Sequence, residues 1–78
     1  MNNREIIGRR IAEIRKSKGL TVLQISEITG LQRSNISRIE NGMYSTGIDI
    51  LGKIADALNC DIDLVERGAR QHFPENPL

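Results

Sequence analysis

Aromatic side chains are nearly missing from this chain. Its 78 residues include one Phe, one Tyr and no Trp, too few rings to stack successive bases of a single strand. A lone cysteine, Cys60, excludes an intramolecular disulfide and a cysteine-rich metal site; it reads as a small packed side chain in a reducing compartment. The one histidine, His72, stands near the C-terminus, away from any helix that would aim it, with no second His or Cys at ligand spacing. Ser34 and Ser37 have no base close in sequence, the acids are scattered, and no glycine-rich phosphate loop follows a strand pattern. These absences argue against an enzyme, a metal centre or a cofactor. No apolar run approaches the roughly 18 residues of a membrane span and no signal-peptide pattern opens the chain, so a cytoplasmic protein without membrane contact is expected.

What the chain does have is isoleucine, leucine and unevenly placed charge. Its length suits one all-α domain, near the lower limit for a core that needs no staple. The net charge of +1 hides a polarity. Residues 1–40 carry eight Lys/Arg against four Asp/Glu, +4, while residues 41–78 carry three against six, −3. A positive first half is a modest electrostatic footprint of a polyanion binder.

The stretch Leu20–Gly42, LTVLQISEITGLQRSNISRIENG, organises the rest. Thr21-Val22-Leu23-Gln24 has the form of a capping box and starts a helix sharply. Ile25 and Ile28 give that helix an i, i+3 apolar stripe, and Gly30 suits the left-handed conformation that reverses the chain, with Leu31 as an apolar plug in the turn. In the next helix, at about 100° per residue, Arg33, Ser34, Ser37, Arg38 and Asn41 project to one side and Ile36 and Ile39 to the other. A helix held by two isoleucines and showing two arginines and two serines has the physical form of a reader of DNA grooves. Gln32 is a poor N-cap for it, so its first turn depends on packing or a ligand.

Around this stretch the periodicity predicts three more helices, five in all. The first runs from Glu5 to Lys18 with Ile7, Ile11 and Ile14 on one face, Met1–Arg4 frayed before it, Gly8 weakening its first turn and Gly19 capping its end. Its outer face bears Arg9, Arg10, Glu13 and Lys16, either a solvated surface or one that touches phosphate. After a loop from Met43 to Gly47, Ile48, Leu51, Ile54, Ala55 and Leu58 mark a fourth helix that Asn59 ends. Asp61 can cap a short fifth helix, Ile62 to Glu66, with Ile62 and Val65 inward. The domain is thus expected to occupy residues 1–67, followed by a polar tail, residues 68–78, that contains Phe73-Pro74 and Asn76-Pro77.

Arg15, Gly19-Leu20-Thr21, Ile25-Ser26, Gly30 and Ile36-Ser37-Arg38-Ile39-Glu40-Asn41-Gly42, followed by Leu51-Gly52-Lys53-Ile54-Ala55-Asp56-Ala57-Leu58, resemble in order the lambda-repressor-like (Cro/cI, XRE-type) helix-turn-helix domains over roughly residues 7 to 66. The resemblance implies a five-helix domain, with the helix-turn-helix at helices 2 and 3, that binds a palindromic operator in double-stranded DNA as a homodimer and regulates transcription, most often as a repressor. Carried over by position, Arg33, Ser34, Ser37 and Arg38 would face base edges in the major groove. Gln32, Asn35, Asn41 and the backbone near Met43 and Tyr44 would hold phosphates, which fixes position without reading sequence. The same likeness pairs Arg15 with Glu40 as a partly buried salt bridge rather than as DNA contacts.

The chain departs from the family at three places. Val22 stands where a glutamine usually touches phosphate, Ser26 replaces an alanine and is able to bond back to the i−4 carbonyl, and Leu23 occupies a usually polar position. Val22 and Leu23 make a small apolar spot, either a tolerated exposure or a protein-binding surface. The alternative function is accordingly an antitoxin-like or accessory module whose main partner is a protein, with DNA binding secondary. For a homodimer, the fifth helix and the loop before it, with Leu64, Val65 and Phe73, are the expected contact surface, unless Phe73 folds back on its own domain.

Overall fold

The computed structural model describes residues 1–68, and expectations about His72, Phe73 and the remainder of the tail lie outside them. Four helices are present among the described residues: α1 (Asn3–Ser17), α2 (Val22–Thr29), α3 (Arg33–Glu40) and α4 (Ile48–Ala57). Helix α3 packs against α1 and α2, and α4 closes the core from the α2 side.

Helix α1 begins earlier than its apolar stripe suggests. Asn2 caps it: the Glu5 amide donates to Asn2 Oδ1 at 2.9 Å and the Asn2 amide donates to Glu5 Oε1 at 2.8 Å. Residues 2–4 are therefore not frayed, and Arg4 Nε donates to the Gly42 carbonyl at 3.3 Å, which ties the start of α1 to the end of α3. Gly8 corrects the sequence reading further. It is buried, and a Cβ there would collide with the Ile39 carbonyl oxygen and stand 2.9 Å from that of Glu40. Its missing side chain lets α1 and α3 touch backbone to backbone.

The core is Ile11, Ile25, Ile36, Ile39, Ile54 and Leu58, drawn from all four helices and the end of α4, with Ile14, Leu20, Val22, Leu31 and Leu51 packed around it. Isoleucine in a helix holds essentially one χ1 rotamer, so a core almost without rings is still stiff. Three residues assigned to the stripes of these helices are outside it: Ile7, Ile28 and Ile48 are 41%, 61% and 64% exposed. Each lies at one end of its stripe, Ile28 and Ile48 where a short helix has already turned away from its neighbours.

The expected fifth helix does not form over residues 62–66. Five residues pay the cost of nucleation for very few hydrogen bonds. The Asp63 carboxylate instead accepts the Leu64 amide at 2.7 Å, a local bond that competes with helix, and Ile62 and Val65 remain half exposed rather than buried. Helical backbone resumes only at residues 67 and 68. Helix α4 stops where Asn59 turns to φ 57° and the Cys60 amide reaches back to the Ala55 carbonyl at 2.8 Å.

Candidate nucleic-acid interface

The turn between α2 and α3 decides where α3 points. Thr21 and Gln24 form the capping box that starts α2, with the Gln24 amide donating to Thr21 Oγ1 at 3.0 Å and the Thr21 amide to Gln24 Oε1 at 2.8 Å. Gly30 adopts φ 78°, as the reversal requires. Two hydroxyls then pin the turn. Ser26 does not bond back to its i−4 carbonyl; its Oγ donates forward to the Leu31 carbonyl. Thr29 Oγ1 donates to the Ile25 carbonyl at 2.7 Å and accepts from the Leu31 amide at 3.1 Å. Ser26 and Thr29 were legible only as polar residues in an apolar helix; their spacing of five and two from Leu31 is the signal.

Helix α3 enters the core through Ile36 and Ile39, with Glu40 turned toward α1, and Arg33, Ser34 and Arg38 are left on the outer side. Arg33, Ser34, Arg38 and Gln32 are exposed, Asn35 and Ser37 half-buried. Gln32, Arg33, Ser34 and Ser37 line one open recess together with Thr21, Val22, Leu23 and Ser26 from α2. Gln32 makes no side-chain cap, which leaves the first amides of the helix, those of Arg33 and Ser34, without an intrahelical acceptor. A helix start in this state attracts anions. Below the recess, Asn41 is exposed, and its Nδ2 donates to the Ser37 carbonyl at 2.8 Å. Met43 and Tyr44 are exposed too, although the Met43 amide already donates to the Arg38 carbonyl at 2.9 Å.

The charges divide cleanly. Arg15 Nε donates to Glu40 Oε2 at 2.6 Å, Arg15 Nη2 to Glu40 Oε1 at 2.9 Å, and Arg15 Nη1 to the Leu20 carbonyl at 2.9 Å. The hydrogen bond to Glu40, with the attraction of its charge, holds the guanidinium above the ordinary arginine range against the burial that would lower it. The acid at the end of α3 is thereby consumed inside the protein. Among the described residues the other ion pair is Arg10–Glu13, exposed on α1, so Arg33 and Arg38 project with no carboxylate to neutralise them.

These features define a class: a small all-α helix-turn-helix domain whose second helix offers exposed arginines and hydroxyls on a rigid mount. Helix-turn-helix is also the family that matches residues 11–65, and the chain belongs to it, as an XRE-type member of the lambda-repressor-like domains. That family consists of DNA-binding transcription regulators and not of enzymes. Among curated relatives, the chain is 36% identical over 59 residues to the competence pilus inhibition repressor of Acinetobacter baylyi, covering 76% of this chain and 54% of that one. It is 34% identical over 61 residues to the antitoxin PezA of Streptococcus pneumoniae, covering 77% of this chain and 39% of that protein. The match to the immunity repressor of Bacillus phage phi105 is 34% over 59 residues, 76% of this chain and 41% of the repressor. The chain thus spans about half the length of these relatives, or less. Among solved structures it resembles the restriction-modification controller protein C.AhdI of Aeromonas hydrophila, with a TM-score of 0.73, 29% identity and coverage of 76% of this chain and 89% of the other. The clp gene regulator ClgR of C. glutamicum shares the fold at a TM-score of 0.71 and 24% identity, over 74% of this chain and 75% of ClgR.

Proposed function

We propose that this chain is a sequence-specific transcriptional regulator, acting in the cytoplasm as a repressor, that binds a palindromic operator in double-stranded DNA as a homodimer. The observation that carries this reading is the pair Arg33 and Arg38, both exposed and without an ion pair among the described residues, on a helix fixed from behind by Ile36 and Ile39. In the major groove each guanidinium is able to take a guanine O6/N7 edge bidentately, with Ser34 and Ser37 beside them as adaptable donors or acceptors. Gln32, Asn35, Asn41, Met43 and Tyr44 flank that face, and the uncapped amides of Arg33 and Ser34 suit a phosphate oxygen. One such helix covers few base pairs, so affinity comes from two copies on half-sites about 34 Å apart. Repression, rather than activation, is supported by relatives that carry the name repressor.

The test is selection of bound sites from a random duplex pool, repeated with Arg33→Ala. The expected result is a two-fold-symmetric site whose preference relaxes at one symmetric pair of positions in the variant. Recovery of no preferred sequence, or of the same one from both proteins, refutes the reading.

A second reading, an antitoxin-like module with a protein as its main partner, is supported by the likeness to PezA and by the exposed Leu23 at the rim of the recess. Salt separates the two. A phosphate-contacting regulator loses affinity steeply as log salt rises, whereas a chain bound chiefly to protein shows a flat dependence on DNA.

A further inference from the structure

Two aliphatic side chains of α2 share the recess that α3 lines with a guanidinium and hydroxyls. Val22 and Leu23 form one wall, Arg33, Ser34 and Ser37 stand across from them, and the rest of the lining is polar. Val22 is half-buried and packs around the core, whereas Leu23 is 47% exposed. Both lie inside the Thr21–Gln24 capping box, so the backbone that carries them is fixed before any ligand arrives. The recess therefore presents a small aliphatic spot set among hydrogen-bonding groups. In the major groove an adenine·thymine pair offers the matching edge, a C5 methyl beside the O4 acceptor of the thymine, while a guanine·cytosine pair exposes acceptors and an amino group but no methyl. An anchor from a protein partner is a large apolar or aromatic side chain that needs a fully desolvated pocket. An open recess with polar walls does not supply one.

We propose that Leu23, backed by Val22, is a specificity-determining residue that covers the C5 methyl of a thymine, in the base pair next to the guanine whose edge Arg33 takes. This inference rests on the DNA-binding reading above and adds a base to it. Successive bases of a strand lie about 3.4 Å apart, and Leu23 and Arg33 line the same recess from its two sides, so adjacent base pairs meet them together. The contact is apolar and makes no hydrogen bond, and its contribution is the water-exposed methyl and leucine surface that each removes from the other. A second helix-turn-helix element thus joins α3 in reading sequence, through the first turn of α2.

Deoxyuridine in place of thymidine deletes this methyl and nothing else. In the site selected from the random pool, the Arg33→Ala variant marks the guanine positions, and each flanking thymine is then replaced by uracil. Fluorescence anisotropy measures binding of the full chain and of Leu23→Ala to both duplexes. The wild type is expected to lose about fourfold in affinity for each methyl removed, about 15-fold for a symmetric pair. Leu23→Ala, with its thermal unfolding unchanged, is expected to lose a similar factor on the thymine site and to bind the two duplexes within about twofold of each other. A selected site with no thymine preference beside that guanine, or a wild type indifferent to the methyl, overturns the proposal and leaves the regulator in place. An equal loss by Leu23→Ala on both duplexes means that the side chain acts through the packing of α2, and this too overturns it. So does a Leu23→Ala chain that binds both as the wild type does, which leaves the aliphatic spot to a protein. Recovery of no preferred sequence overturns the DNA-binding reading and this inference with it.

Discussion

Arg15 and Glu40, 25 residues apart in sequence, join through two parallel hydrogen bonds at side-chain exposures of 12% and 8%. The pair clamps α1 to the end of α3 and, through Arg15 Nη1 and the Leu20 carbonyl, to the start of the helix-turn-helix. Removing one partner strands a charge with little access to water, at a cost of about 3–5 kcal/mol. Arg15→Ala is expected to lower the melting temperature by at least about 10 °C, since about 4–8 °C accompanies each kcal/mol in a domain of this size. Arg38→Ala should leave the melting temperature unchanged and abolish site-specific binding. Thermal circular dichroism and a binding titration distinguish the two effects.

Glycine-to-alanine changes should have opposite signs at two positions. Gly8→Ala would gain helix propensity yet must push α1 off the carbonyls of Ile39 and Glu40, and overpacking of that kind costs about 1–3 kcal/mol. Gly52, inside α4, has open space where its Cβ would go, so Gly52→Ala is expected to stabilise by about 0.5–1 kcal/mol. Urea denaturation of the two variants measures both. A stabilised Gly8→Ala would mean that the α1–α3 backbone contact does not persist in solution.

Gln32→Ser sets stability against binding. A serine at this position is able to cap the exposed amides at the start of α3 and add about 1 kcal/mol of stability. If those amides hold a phosphate, the same cap competes with DNA. The expected outcome is a melting temperature raised by several degrees together with weaker binding to every sequence, and not a changed preference.

Ser26→Ala removes the hydroxyl that spans the turn to Leu31. Leaving that part-buried carbonyl without its donor costs about 1–3 kcal/mol. Because the turn aims α3, hydrogen exchange at the Gly30 and Leu31 amides, which donate to the Ser26 carbonyl and Thr29 Oγ1, should accelerate more than exchange in α1, and it is this local difference that checks the prediction.

The helices around the reading face were legible because their signals are local. Thr21 with Gln24, Gly30, and the Ile36/Ile39 spacing each act within one or two turns of chain, and the structure has α2, the reversal and α3 where they place them. The misreadings concern contacts that are remote in sequence or matters of degree. Gly8 looks like a weak point in a helix until Ile39 lies across it. Residues 62–66 have the right letters for a helix, and what undoes it is the cost of nucleating so short a segment against the local bond from the Leu64 amide to the Asp63 carboxylate. The Asn2–Glu5 cap was readable from its three-residue spacing and was hidden by an expectation of fraying at the chain end.

In α3 the residues that anchor the helix and those that face outward share no member: Ile36 and Ile39 lie inside, Arg33, Ser34 and Arg38 outside. The outward letters are therefore free to be rewritten without a new scaffold. On the proposed reading, in which these three side chains face base edges, a lineage carrying this domain acquires a different genomic address by a handful of substitutions, each nearly silent for folding, and an engineer does the same by exchanging them and leaving the isoleucines alone.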